Sequence, residues 1–171
     1  KTKTVTIYDH DADDVLLSTT VYKDLDGLVD TAMPTTDELA VASDYLKKSF
    51  TDYEGSVKGE EKSNYTLNYK ADGATVDTTT TYLYHIDADP EAIPPVLASN
   101  AATASQANGD SYMTKTVTVR GTDPDNVKQI AYYAGTEAGE ETIAWSQEYN
   151  YDGSKTKTVT IYDHDADDVL L

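Results

Sequence analysis

The stretch KTKTVTIYDHDADDVLL fills residues 1–17 and returns, letter for letter, at residues 155–171. The two copies stand 154 residues apart. Unrelated segments do not agree by chance at seventeen consecutive positions. The expected arrangement is therefore one period of a tandem array plus an overlap, with a duplicated start as the alternative. Inside the stretch, Val5 and Ile7 alternate with Thr4, Thr6 and Tyr8. Period two among β-branched and aromatic residues marks a strand with two unlike faces. The acidic run from Asp9 to Asp14 then breaks the alternation, as a connection between strands does. The chain opens on Lys1 rather than Met, which reads as a processed or excised piece of something longer.

Older repeats lie inside the period. Tyr53-Glu54-Gly55, Gly59-Glu60-Glu61, Tyr65, Tyr69 and Asp72-Gly73 recur 80 residues later as Tyr133-Ala134-Gly135, Gly139-Glu140-Glu141, Trp145, Tyr149 and Asp152-Gly153. The register runs on without a gap, carrying Thr78, Thr80 and Tyr82 onto Thr158, Thr160 and Tyr162. A third relation joins KTVTVRGTDPDNV (115–127) to KTVTIYDHDADDV (157–169) at a spacing of 42. Nested periods of this kind mark units that each bury an apolar face against a neighbour.

Alternation places strands at 3–8, 17–22, 65–69, 78–84, 116–119, 129–133, 143–151 and 158–161. Between them stand Asp24-Leu25-Asp26-Gly27, Asp72-Gly73, Asp123-Pro124-Asp125-Asn126 and Asp152-Gly153, residues that accept turn backbones. The expected fold is all-β with one short inserted helix. Successive β-hairpins would wind into a spiral or solenoid-like sheet, a tandem β-sandwich being the alternative. The helix is expected at 37–48. Thr35-Thr36-Asp37-Glu38 resembles a capping box, Leu39, Ala42 and Leu46 share a face, and Lys47-Lys48 lie in the last turn. Residues 89–110, rich in Pro, Ala and Ser, read as a loop or linker between hairpin repeats at 1–88 and 111–171.

Composition narrows the function. Thirteen basic residues against 31 acidic ones give a net charge of −18, the wrong sign for neutralising nucleic-acid phosphates. No apolar run approaches the roughly 18 residues of a membrane-spanning helix. Without Cys there is no disulfide, thiol nucleophile or thiolate metal site. Leu, Ile, Val and Phe number 31 of 171, a share low enough to suggest disorder at this charge. The 14 Tyr in alternating segments argue for folding instead, on faces wet enough for a hydroxyl to find a partner.

Tyr149-Asn150-Tyr151-Asp152-Gly153 and the Thr-rich strand through Tyr162 resemble the tyrosine-aspartate repeats of Rhs-type giant bacterial secreted or surface proteins. Tyr69-Lys70-Ala71-Asp72-Gly73 with 78–84 is a looser copy. The resemblance implies hairpins wound into a continuous spiral sheet, as an extended surface fibre or as a shell around a toxin. Arg120, the only arginine, is a departure from that family's pattern.

Asp9, Asp11 and Asp13, with their copies Asp163, Asp165 and Asp167, follow the D-x-D-x-D spacing that opens a calcium loop. Carboxylates at alternate positions of a tight loop can converge on one hard cation. Asp123 and Asp125 are a shorter version, as are Asp87 and Asp89. The competing reading is that Asp is favoured in hairpin connections and keeps the surface soluble. His10, His85 and His164 follow strands with no nucleophile nearby in sequence, which favours exposed positions over catalysis. Tyr65, Tyr69, Trp145 and Tyr149 share strand parity within each pair, as in a structural aromatic ladder or a carbohydrate-stacking platform. Asn64-Tyr65-Thr66 spells a glycosylation triplet, a frequent coincidence.

Two function classes stay open. One is a non-catalytic structural repeat of an extracellular filament, sheath or giant cell-surface protein, its partners being copies of itself or adjacent repeats end to end. The other is a calcium-dependent adhesin or glycan-binding module. No motif sets an acid, a base and a nucleophile together, so an enzyme is not expected, and no cofactor other than calcium is suggested.

Overall fold

A computed structural model describes residues 4–25, 32–41 and 44–164. The described strands form one antiparallel sheet, not two facing ones. In chain order they are β1 (Thr4–His10), β2 (Leu16–Asp24), β3 (Tyr45–Glu54), β4 (Lys62–Tyr69), β5 (Val76–Ile86), β6 (Ser99–Ala102), β7 (Met113–Arg120), β8 (Val127–Ala134), β9 (Thr142–Tyr149) and β10 (Thr156–Ile161). Each pairs with the next, except that β7 pairs directly with β5 while β6 hangs on the far end of β5. The all-β expectation holds.

The expected helix at 37–48 is corrected to a single turn, α1 (Thr36–Leu39). Its capping box is present: Glu38 N–H donates to Thr35 Oγ1 at 3.3 Å, and Thr35 N–H donates to Glu38 Oε2 at 2.7 Å. A cap starts a helix but does not sustain one, and a helix this short is marginal alone. From Tyr45 onward the same letters serve β3, which gains ladders with β2 and β4 on both edges. Tyr45 is buried edge-on against Tyr22, with ring centroids 6.5 Å apart. Strand pairing therefore overrides the helical spacing of Leu39 and Leu46. The Pro/Ala/Ser-rich stretch folds back on the sheet. Ala102 and Ala104 are buried there, the latter in a 3-10 turn (Ala104–Gln106) that packs on β3, β4 and β5.

Residues directly opposite one another make continuous rungs across nine strands. One rung reads Tyr8, Thr19, Thr51, Thr66, Thr80, Thr118, Gln129, Glu148 and Thr158. Its hydroxyls link strands: Thr51 and Thr66 share a hydrogen bond of 2.8 Å, and Thr80 and Thr118 one of 2.9 Å. On the opposite face a rung runs from Asp9 through Ser18, Asp52, Tyr65, Thr81, Val117, Ile130 and Gln147 to Val159. Thr158 is the counterpart of Thr4, and Val159 of Val5. Both rungs therefore arrive at the repeated sequence four residues before the point from which they set out.

The two edges of the sheet carry the same strand. β1 and β10 are first and last in a nine-strand meander, so they run in the same direction. The rungs also give them the same face: Thr4, Thr6 and Tyr8 share a side with Thr158 and Thr160. The buried set is small for a sheet this wide. It includes Val15, Tyr84, Ile86, Val119 and Ala131 with the polar Thr78, Thr116 and Ser146. Tyr84 shows why Tyr replaces Phe here, because its hydroxyl donates across to Ser63 O at 2.8 Å.

The β4–β5 and β9–β10 turns match in their backbone hydrogen bonds. Lys70 N–H donates to Thr75 O at 2.8 Å, and Gly73 N–H to Lys70 O at 3.0 Å. Asn150 N–H donates to Lys155 O at 2.9 Å, and Gly153 N–H to Asn150 O at 3.0 Å. Gly73 and Gly153 have φ of 69° and 73°, and an added Cβ would come within 3.0 Å of Lys47 N or 3.1 Å of Val127 N. The left-handed backbone alone costs an L-residue about 1–2 kcal/mol. Gly73→Ala and Gly153→Ala are each expected to lower stability by about 1–3 kcal/mol in urea unfolding. A loss below about 0.5 kcal/mol would mean that these turns shift freely.

Candidate functional site

The first acidic run is a hairpin loop. Asp11 N–H donates to Val15 O at 3.0 Å and Asp14 N–H to Asp11 O at 3.2 Å. Asp14 takes φ of 63°, the left-handed residue that closes a three-residue hairpin loop. Asp11 Oδ1 accepts from Asp13 N–H at 2.8 Å and Val15 N–H at 3.0 Å, so that oxygen braces the turn. Asp14, which the calcium spacing leaves out, pairs with Lys58 Nζ at 2.9 Å, and that cation holds its carboxyl below the usual range. Asp9 and Asp13 are exposed. Asp123 Oδ1 accepts from Asp125 N–H at 3.1 Å in the β7–β8 turn. Asp163 is exposed, while Asp165 and Asp167 lie outside the described residues. Among the described residues no three His, Asp or Glu side chains are gathered where one metal ion could be held.

The same bracing recurs at Asp72. Its Oδ2 accepts from Thr75 Oγ1 at 2.6 Å, and its Oδ1 from Ala74 N–H at 3.0 Å and Thr75 N–H at 2.9 Å. The Thr75 hydroxyl first, then those two amides, pull its pKa down to about 2. Asp152 Oδ1 accepts from Ser154 N–H at 2.9 Å in the matching turn.

The glutamates of the two Gly-Glu-Glu triplets do something that sequence reading used only as a register mark. Glu61 Oε1 accepts from Leu16 N–H at 2.9 Å and Oε2 from Gly59 N–H at 2.8 Å. Glu141 Oε1 accepts from Met113 N–H at 2.6 Å and Oε2 from Gly139 N–H at 2.9 Å. Each side chain leaves the head of its own strand, passes the strand between, and captures the first amide of the strand beyond: β4 reaches β2, and β9 reaches β7. Recurrence of the triplet at a spacing of 80 was the signal available in the sequence. The Leu16 amide is the chief reason that the Glu61 carboxyl is held below its ordinary value.

Of the four predicted ladder residues, Tyr65 and Trp145 meet a ring on a neighbouring strand, while Tyr69 and Tyr149 make contacts of other kinds. Tyr65 lies against Phe50, centroids 6.2 Å apart, and Trp145 stacks on Tyr132 at 4.0 Å and 8°. Tyr69 lies under Lys47 Nζ at 5.3 Å. Tyr149 offers its carbonyl to Arg120 Nη2 at 3.2 Å. Arg120 also donates through Nη1 to Asn126 Oδ1 at 3.2 Å and Val127 O at 2.8 Å, and it faces the Tyr151 ring at 5.5 Å. The single arginine thus ties the β7–β8 turn to the end of β9. Asn64 lies within β4, its amide donating to Asp52 Oδ2 at 2.9 Å.

His85 lies in β5, not in a loop after it. Its ring stacks on Tyr112 at 4.7 Å, Nδ1 lies within hydrogen-bond reach of Asn100 Oδ1 on β6, and Nε2 lies 3.2 Å from Asp87 Oδ1. Two acceptors on one ring favour the imidazolium, so the pKa is raised, by Asn100 first and Asp87 second. His85, Asp87 and Tyr112 border a cleft of about 590 Å³ that Asp89, Asn108 and Asp110 also line. His10 is exposed at the end of β1.

Three outcomes are expected. Glu61→Ala and Glu141→Ala remove a charged acceptor from two amides each, and each is expected to cost about 1–3 kcal/mol at pH 7. Because Glu61 has a lowered folded pKa, its stabilisation is present above the ordinary glutamate value near 4.5 and fades as pH falls through the folded value. The stability gap between wild type and Glu61→Ala should therefore close in urea titrations taken to pH 3 and below. A pH-independent gap would show that packing, not charge, holds Leu16. For Asp72, a carboxyl carbon resonance followed by NMR is expected to titrate near pH 2, and a midpoint near 4 would deny the turn bracing.

Compared with known protein families, with characterised proteins and with solved structures, the chain matches none.

Proposed function

We propose that this chain is a structural module of an extracellular filament, sheath or giant cell-surface protein built by tandem repetition, and that its work is mechanical or adhesive, not catalytic. The observation that supports this most is the identity of the two sheet edges. One sequence forms β1 and β10, running the same way with the same face up. A strand of that sequence accepts β2 on one edge and β9 on the other. Shared between successive periods, it would be an interior strand, and the sheet would pass through the junction uninterrupted.

Other features agree. The matched turns at 70–75 and 150–155, and the matched Glu61 and Glu141 contacts, give the two parts of the period one mode of construction. The charge of −18 opposes lateral clumping of such a sheet and leaves growth along one axis open. Among the described residues no helix is long and apolar enough to cross a membrane. The hairpin series also fits the fibre half of the resemblance to tyrosine-aspartate repeats, in which the partners are copies of the same unit.

The test is a chain of two periods joined through a single shared copy of the seventeen residues. Electron microscopy and small-angle scattering are expected to find one stiff object of constant cross-section, about twice as long as the single period. Two compact bodies on a flexible tether would sink the proposal.

A further inference from the structure

We propose that the open edge of β10 is a docking surface for the β2 strand of a second copy of this chain, in the register that β1 and β2 already show. Val159 would face Tyr22 and Ile161 would face Thr20, as Val5 and Ile7 do. The inference rests on the tandem reading above and deepens it, by naming the residues that meet and the conditions under which separate chains join.

Backbone parity supports the fit. In an antiparallel pair, alternate residues turn their N–H and C=O groups toward opposite neighbours. Tyr162 N–H donates to Ala144 O at 3.0 Å, and Thr158 and Thr160 share its parity on the β9 side. The groups of Val159 and Ile161 are therefore turned to the open side. On β1, Asp11 N–H donates to Val15 O at 3.0 Å, and the one extra residue of that ladder, Leu17, belongs to β2. Alternation along β1 thus carries Asp9, Ile7 and Val5 toward β2. The groups that β1 gives to β2 are those that β10 turns away from β9, where no strand pairs with it among the described residues.

Side chains tell the same story. Val159 is 56% exposed and Ile161 74%, and beside them Trp145 is 36% exposed. Val5 and Ile7, the same residues with β2 in place, are half-buried. The second copy is thus the occupant already seen on this sequence, with its face and direction unchanged.

One obstacle sets the conditions. In a free chain β2 is covered by its own β1, which is tethered and so present at an effective concentration on the order of millimolar. An incoming β10 exchanges like for like and loses to the tether at micromolar concentration. Weakening β1 alone should reverse the outcome. Val5→Pro removes an N–H aimed at β2 while leaving β10 intact, so the neighbour's β10 becomes the better partner. The contact is head to tail, and it propagates as an open chain.

The experiment compares full-length variants at about 50 µM by sedimentation velocity, a range well below the tether's effective concentration. Wild type is expected to sediment as a monomer. Val5→Pro is expected to form open-ended oligomers of at least four chains. Val159→Pro, which removes an N–H from the open edge where proline is tolerated, should stay monomeric with unchanged circular dichroism. The double variant, with β1 and β10 both disabled, should also be monomeric. Thr6→Pro, whose N–H points away from β2, separates a specific effect from general damage and should remain a monomer. A folded monomeric Val5→Pro would overturn the proposal, and so would a double variant that assembles as readily as Val5→Pro. If Val5→Pro loses its β-sheet spectrum, peptide 1–17 at millimolar concentration replaces it as the probe: isotope-edited NMR should place its Val5 amide on β2, and absence of that contact counts against the exchange. Failure of these arms beside a stiff two-period rod would remove the exchange and leave the tandem reading standing.

Discussion

Backbone hydrogen bonding between successive antiparallel strands is the interaction on which everything else in this molecule depends. The apolar residues that are buried are few and scattered, and no second sheet covers the first among the described residues. A sheet in that position must draw its cohesion from ladders, cross-strand side-chain pairs and well-made turns. The threonine rung shows this economy. β-branched side chains favour the strand, and their hydroxyls tie Thr51 to Thr66 and Thr80 to Thr118 where a sandwich would place aliphatic packing.

Acidic side chains are the second element of the design, and they act as acceptors for backbone amides within turns and across strands. Asp11 and Asp72 each accept two backbone amides within their own turn, and Glu61 and Glu141 each accept one amide nearby and one from a strand two positions away. Carboxylates that look like a metal-binding surplus in the composition thereby serve as fixed acceptors for donors that the turns leave over. The acidity that gives the chain its net charge of −18 and the acidity that holds the hairpins together come from the same residue types.

Much of this was legible in the sequence because its signals are local and repeated. Alternation at Val5 and Ile7, or at Val117 and Val119, located strands, and Asp72-Gly73 and Asp152-Gly153 located turns, while Asp26-Gly27 lie outside the described residues. Strand β3 was hidden because Thr35 and Glu38 form a real cap, so a true start signal was extended over Leu46 and Lys47, whose spacing fits a helix as well as a strand. Only pairing with β2 and β4 decides between them, and pairing is not local. The reach of Glu61 to Leu16, 45 residues back, was invisible for the same reason. The stacking of Trp145 on Tyr132 depends on register between β8 and β9, which parity within one strand does not reveal.

The slip of the rungs has a geometrical meaning. A rung that leaves Tyr8 and arrives at Thr158, the counterpart of Thr4, has moved four residues along the strand direction in crossing the sheet. At about 3.3 Å per residue that is an offset of about 13 Å for each period. Such an offset tilts the strands against the direction in which the sheet grows, and it is the same kind of stagger that a closed barrel requires. That tilt is written into the pairing register of the single period, before any contact with a neighbouring one is made.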